Sequence, residues 1–158
     1  MNRRQRNELH VVQIELWKKK NANFSSDQMI HLFVNAIQAV HKRSLSTLSN
    51  VTVDAVIDRT LHECKEKYPL LSKISSEPDG LHFNHFFDQM QKVEQQEAQD
   101  SLEYLLIELF EIFGKITAEI LTKYLYQELM TVTYEGVKIK SELPAVPSSK
   151  SVKNREKK

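Results

Sequence analysis

The apolar positions of this chain fall on helical spacing along most of its length. In residues 100–130, DSLEYLLIELFEIFGKITAEILTKYLYQELM, the residues Leu102, Leu106, Leu109, Phe113, Ile116 and Ile120 are spaced four, three, four, three and four apart. That is the rhythm of a helix seam. The stretch has no Pro and a single Gly, and it is rich in Leu, Ile, Glu and Lys, which helices accept readily. Asp100 or Ser101 stands where a cap for the first turn is needed. Leu105, Phe110, Leu121 and Tyr124 widen the stripe, and Ile107 and Leu125 lie further round. An arc this wide predicts either the central helix of a bundle or a helix partly buried against a second chain. Gly114 sits in the middle, where it marks a kink, a close crossing or a break into two helices.

The preceding segments are shorter. In residues 8–20, Leu9, Val12 and Leu16 fit a helix face, while Val12, Ile14 and Leu16 also fit the alternation of a strand. The charged flanks and the lack of a bracketing turn favour helix, with Lys18, Lys19 and Lys20 near its C-terminal end. Ser25 and Gln28 have capping-box spacing. Met29, Phe33, Ala36, Ile37 and Val40 then carry a second helix from 26 to about 47. Thr52 is the expected cap of a third, with Val53, Val56, Ile57, Leu61 and Cys64 on one face, stopping before Pro69. Glu77-Pro78-Asp79-Gly80 reads as a turn. Phe83, Phe86, Phe87, Met90 and Val93 form another short apolar face.

After the long stretch, Thr131 to Tyr134 and Val137 to Ile139 flank Glu135-Gly136, which suits a small β-hairpin over 131–140. From Pro144 onward there is little to bury, and 144–158 reads as a disordered basic tail. The pattern predicts an all-α bundle of four to six helices around the 100–130 helix, in one helical domain over 1–143. Its expected core includes Phe33, Ile37, Val56, Ile57, Leu61, Phe87, Leu106, Leu109, Phe113 and Ile120.

Composition narrows the class. The 158 residues suit one domain, and only 3 Gly and 4 Pro argue against an all-β chain. The lone Cys64 excludes an intramolecular disulfide and fits a reducing, cytoplasmic compartment. No apolar run approaches the roughly 18 residues of a transmembrane span, and Glu8, Gln13 and Glu15 interrupt any secretory signal. The formal net charge of +1 hides basic ends around a mildly acidic body. From Glu94 to Glu111 there are six acids and no base, a field that repels nucleic acid, so no specific nucleic-acid partner is expected.

Candidate chemistry is sparse. The chain has no phosphate-binding glycine loop, dinucleotide fingerprint, H-E-x-x-H or paired-cysteine motif, and no cofactor or metal is expected. His82 and His85 share a helical spacing but lack a matching third ligand, which reads as packed histidines among phenylalanines. Cys64 lies on an apolar face, where a free Cys is usually a small buried hydrophobe. The run Val40-His41-Lys42-Arg43-Ser44-Leu45 loosely resembles the phospho-accepting histidine segments of two-component phosphotransfer and histidine-kinase dimerisation domains. It lacks the Gly common in the first and the Pro common in the second. The resemblance implies His41 as an exposed phospho-acceptor on a rigid bundle helix.

The main functional expectation is a non-catalytic helical interaction or regulatory module that presents a helical surface to a protein partner. It would be a homodimer through Ile107, Ile120, Leu121, Tyr124 and Leu125, because large apolar patches are seldom left in water. The alternatives are the His41 phosphotransfer bundle and a small-molecule sensor with Phe83, Phe86, Phe87 and Tyr124 lining its pocket.

Overall fold

The computed structural model describes residues 2–133. It is mostly helical (73%), with six α-helices and one two-stranded antiparallel sheet among the described residues. Capping chemistry opens the first three helices. Asn2 caps α1 (Arg3–Lys20): its side chain accepts from the Gln5 amide at 2.9 Å, and the Gln5 side chain accepts from the Asn2 amide at 3.1 Å. Residues 8–20 are thus helical, and strand alternation yields to the capped helical period. Ser25 and Gln28 form the expected capping box of α2 (Ser26–Leu45), at 3.2 and 2.8 Å. The cap of α3 (Asn50–Cys64) is Ser49 rather than Thr52. Its hydroxyl accepts from the Thr52 amide at 3.2 Å, so the helix starts one turn earlier than expected.

A 3-10 turn over Pro69–Lys73 leads into a hairpin of β1 (Ser75–Glu77) and β2 (Gly80–His82), with Ser76 opposite Leu81. The hairpin uses the Pro78-Asp79 turn, and Gly80 takes φ 127°, which an L side chain rarely adopts. Then come α4 (Asn84–Met90), α5 (Gln95–Ile116) and α6 (Thr122–Thr131).

The expected single helix over 100–130 is therefore two helices. α5 starts at Gln95, so Ser101 is no cap; it is buried inside the helix and donates to the Ala98 carbonyl at 2.7 Å. After Ile116 the chain turns sharply. The Gly114 carbonyl accepts from the Thr117 amide at 3.2 Å and from the Glu119 amide at 2.7 Å. Ala118 (φ 51°) and Glu119 (φ 68°) are left-handed. Gly114 permits this corner, since a Cβ there would lie 2.7 Å from Thr122 Oγ1 and 2.8 Å from Glu119 Oε1. The turn swings Ile116 and Ile120 off the stripe. Ile120 is 66% exposed, outside the core where its spacing placed it.

The centre of the bundle is shared. α2 packs on α5, α6 and α3, and α5 packs on α2, α3 and α1. Phe33 and Ile37 of α2 and Leu106, Leu109 and Phe113 of α5 are buried, as is Ile57 of α3. Val56, Leu61 and Phe87 are half-buried at the edge of this core. From Tyr134 on, the expected 131–140 hairpin, the end of the 1–143 domain and the 144–158 tail lie outside the described residues. Among the described residues no helix is long and apolar enough to cross a membrane.

Candidate functional site

α1 lies along the groove between α5 and α6. Its Lys18 meets Glu103 and its Arg6 meets Glu111, so it runs opposite to α5. Its His10 meets Tyr126 and its Trp17 meets Val132, so it runs with α6. The face turned inward carries His10, Ile14 and Trp17, all buried. Trp17 packs edge-on against Phe33 at 5.1 Å and donates its indole N–H to the Val132 carbonyl at 2.8 Å.

A polar cluster closes the other end of this seam. Arg6 grips Glu111 through Nε, at 3.0 Å from each carboxylate oxygen, and through Nη2 at 2.7 Å from Oε2. Arg3 reaches Glu108 at 2.9 Å and Glu111 at 3.8 Å. His10 Nε2 stands 3.4 Å from Glu111 Oε1, and His10 Nδ1 stands 2.5 Å from the Tyr126 hydroxyl. The Nδ1 contact with Tyr126 is a hydrogen bond, whereas Nε2 faces the Glu111 carboxylate without hydrogen-bond geometry. The Arg6 guanidinium holds the Glu111 carboxyl below the usual carboxylate range. Burial pushes the His10 imidazole down against the pull of Glu111, and pushes the Tyr126 phenol up to about 12.

A Tyr–His–carboxylate chain is the kind of array that moves protons in enzymes. Here His10 is 1% exposed and Glu111 2%, which closes both off from solvent. The geometry therefore fixes the register of α1 on α5 and α6. It also consumes much of the acidic run from Glu94 to Glu111: Glu103, Glu108 and Glu111 are paired with α1 cations. Their field is largely spent inside the chain.

The outer face of α1 is a different surface. Leu9, Val12 and Leu16, spaced i, i+3 and i+7, are 46%, 51% and 49% exposed. Val11 is exposed on the opposite flank. With Val12, Arg3, Arg4, Asn7 and Glu8 it lines a shallow groove of about 740 Å³.

The residues singled out from sequence do not gather into one site. Leu121 and Leu125 are wholly buried within the chain, on the side of α6 that meets the bundle. Ile107 and Tyr124 are half-buried, with the Arg43 guanidinium 5.1 Å from the Tyr124 ring centre. Ile120 is exposed at the corner. His41 is half-buried rather than free on its helix. A Cβ at Gly80 would lie 4.0 Å from His41 Cε1, so the ring lodges against the hairpin, and burial lowers its pKa.

Cys64 is buried, which pushes its thiol up to about 12 and makes it a poor nucleophile. His82 pairs with Asp79 at 2.7 Å, and His85 points to solvent. Among the described residues no group of three or more His, Cys, Asp or Glu side chains is placed to hold a metal ion. The four aromatics expected to line a sensor pocket are dispersed between core and surface. Phe83 and Phe86 are core, and Phe87 stacks on His31 at 4.8 Å.

Sequence reading missed Arg6, His10, Trp17, Glu111 and Tyr126 as a unit. A signal was present, in basic residues on α1 and acids on α5 at helical spacing. Pairing two segments a hundred residues apart, however, requires the fold. No known protein family, curated protein or solved structure matches the chain.

Proposed function

We propose that the chain is a non-catalytic helical interaction module that self-associates by pairing α1 of one copy with α1 of another. The observation that carries this reading is the apolar stripe of Leu9, Val12 and Leu16 on a helix whose opposite face is already filled by His10, Ile14 and Trp17. With Leu9 and Leu16 at a positions and Val12 at d, a parallel pair brings Glu15 of one copy toward Lys20 of the other, an attractive flank. A two-fold axis buries the same stripe from both chains at once. The paired helices would present a helical platform to a protein partner. Sedimentation equilibrium at roughly 20 µM, suited to a micromolar dimer, should find a dimer. Val12→Glu, which sets two like charges in one layer, should return it to monomer. A wild-type chain that is cleanly monomeric at that concentration removes the proposal.

A further inference from the structure

The joint between α5 and α6 sets local preference against tertiary structure. Ala118 and Glu119 are among the best helix formers, yet both hold left-handed φ values of 51° and 68°, a region that side chains other than Gly, Asn and Asp seldom occupy. The apolar rhythm runs through the joint unbroken in sequence: Leu102, Leu106, Leu109 and Phe113 are buried, while the next two positions, Ile116 and Ile120, are 44% and 66% exposed. The apolar pattern and the propensities of Ala118 and Glu119 thus favour one continuous helix, and the corner is held against them by the docking of α6, by Gly114 and by Thr117, whose hydroxyl donates to the Phe113 carbonyl at 2.8 Å and accepts from the Leu121 amide at 3.2 Å. That docking rests on Leu121, Leu125 and Leu129, each 0% exposed. If the helix straightens, these leucines leave their bed on α2, and an identical bed waits on a second copy.

We infer that residues 117–121 are a hinge across which two copies exchange α6. Each chain straightens α5 into α6, and the Leu121, Leu125 and Leu129 face of each fills the other's groove between α2 and α1. The exchanged dimer keeps the packing of Leu121, Leu125 and Leu129, gives up the corner's own hydrogen bonds at Thr117 and Glu119 for helical ones, releases two left-handed residues per chain and restores Ile116 and Ile120 to the continuous stripe. A short hinge under strain is what favours such exchange. The inference shares with the proposed function only its occupant, a second copy; the surfaces differ.

Three variants test it in the full chain, refolded at about 200 µM so that opened chains meet, then diluted tenfold and sedimented. Ala118→Gly relaxes the closed corner and weakens the straight helix. It should lower the dimer association constant by roughly 100-fold or more, since the dimer contains two hinges. Gly114→Ala crowds Thr122 Oγ1 at 2.7 Å in the closed corner and favours the straight helix, so it should raise the dimer fraction.

Lys20→Cys with Met130→Cys, in a Cys64→Ser and Val12→Glu background so that α1 pairing cannot bring two copies of residue 20 together, reports the exchange directly. Lys20 Nζ lies 3.0 Å from the Met130 carbonyl, so a short bismaleimide joins the two positions within a closed chain and between chains in an exchanged dimer. Covalent dimers on a denaturing gel are the expected result. Cross-links confined within single chains, a Gly114→Ala chain that stays monomeric, or an Ala118→Gly chain with the wild-type dimer fraction would each overturn the exchange. A dimer lost in Val12→Glu but unmoved in Ala118→Gly upholds α1 pairing and removes only the exchange.

Discussion

α2 and α1 are similar in length and are held to the bundle by different physics. α2 buries nine residues, all apolar except Ser44, whose hydroxyl is satisfied by the Val40 carbonyl at 2.8 Å. α1 buries three, His10, Ile14 and Trp17, and relies for the rest on Arg6, Lys18 and the Trp17 indole. Apolar burial is non-directional and insensitive to pH. Ion pairs and buried hydrogen bonds demand geometry and titrate. The comparison suggests that α2 is the part of the fold whose loss ends the fold. α1 is a register-locked cover whose inner face is polar and whose outer face is left apolar.

The largest expected effect is on α2. Phe33 is fully buried and packs against Trp17, so Phe33→Ala should cost about 3–5 kcal/mol in denaturant unfolding. A loss under about 1 kcal/mol would end the claim that α2 anchors the core. Next is the polar lock. Glu111→Leu removes the anion from a 2% exposed site and leaves Arg6 with the longer Glu119 contact at 3.8 Å, with an expected loss of stability smaller than that of Phe33→Ala. Adding Arg6→Met should recover part of it, and hydrogen exchange in the Glu111→Leu chain should quicken in α1 before α2. Equal quickening in both helices would show that α1 is not a separable cover.

The pH dependence comes third. The folded pKa of His10 is lowered below 6.5, so the unfolded chain takes up a proton first as the pH falls below about 6.5 and stability declines there. The folded pKa of Glu111 is lowered below 4.5. Its contribution is present above that value and is lost as the pH drops through the depressed folded pKa. Unfolding free energy followed from pH 8 to 3 should fall in two stages, and His10→Gln should shrink the upper one to the part that His41, also lowered by burial, contributes. A wild-type profile flat from pH 7 to 5 would contradict the burial of a neutral His10. The smallest effect belongs to the outer face. Measured on the monomer, well below micromolar concentration, Val12→Glu should change stability by no more than about 0.5 kcal/mol, because Val12 is 51% exposed. A larger loss would mean that the stripe is covered within the chain.

Much of the fold was legible because its signals are local. Ser25 with Gln28 announced α2, Glu77-Pro78-Asp79-Gly80 announced a turn though not the two strands that flank it, and the spacing of Leu102, Leu106, Leu109 and Phe113 named the buried face of α5. The candidate site was far less legible. His10 and Glu111 look like surface residues in any local window, since a buried charge is tolerable only beside a partner that the sequence does not reveal. The same limit explains Leu121 and Leu125. They read as surplus apolar area on a straight helix, and they become core once the chain turns at Gly114.

By itself, the sequence determined where α2 begins, which face of α2, α3 and α5 is apolar and that no phosphate-binding glycine loop is encoded. These depend on capping groups and on a period of about 3.6 residues, both contained within one or two turns. The tertiary structure alone decided the rest. It broke the apolar run after Ile116 at the cost of two left-handed residues, because folding α6 back buries three leucines that a straight helix would leave in water. It also set Arg6 on Glu111 and left Leu9, Val12 and Leu16 outward. Which side of an amphipathic helix faces the core is decided by the groove that receives it, and the groove between α5 and α6 offers a carboxylate and a tyrosine hydroxyl to the side that carries Arg6 and His10.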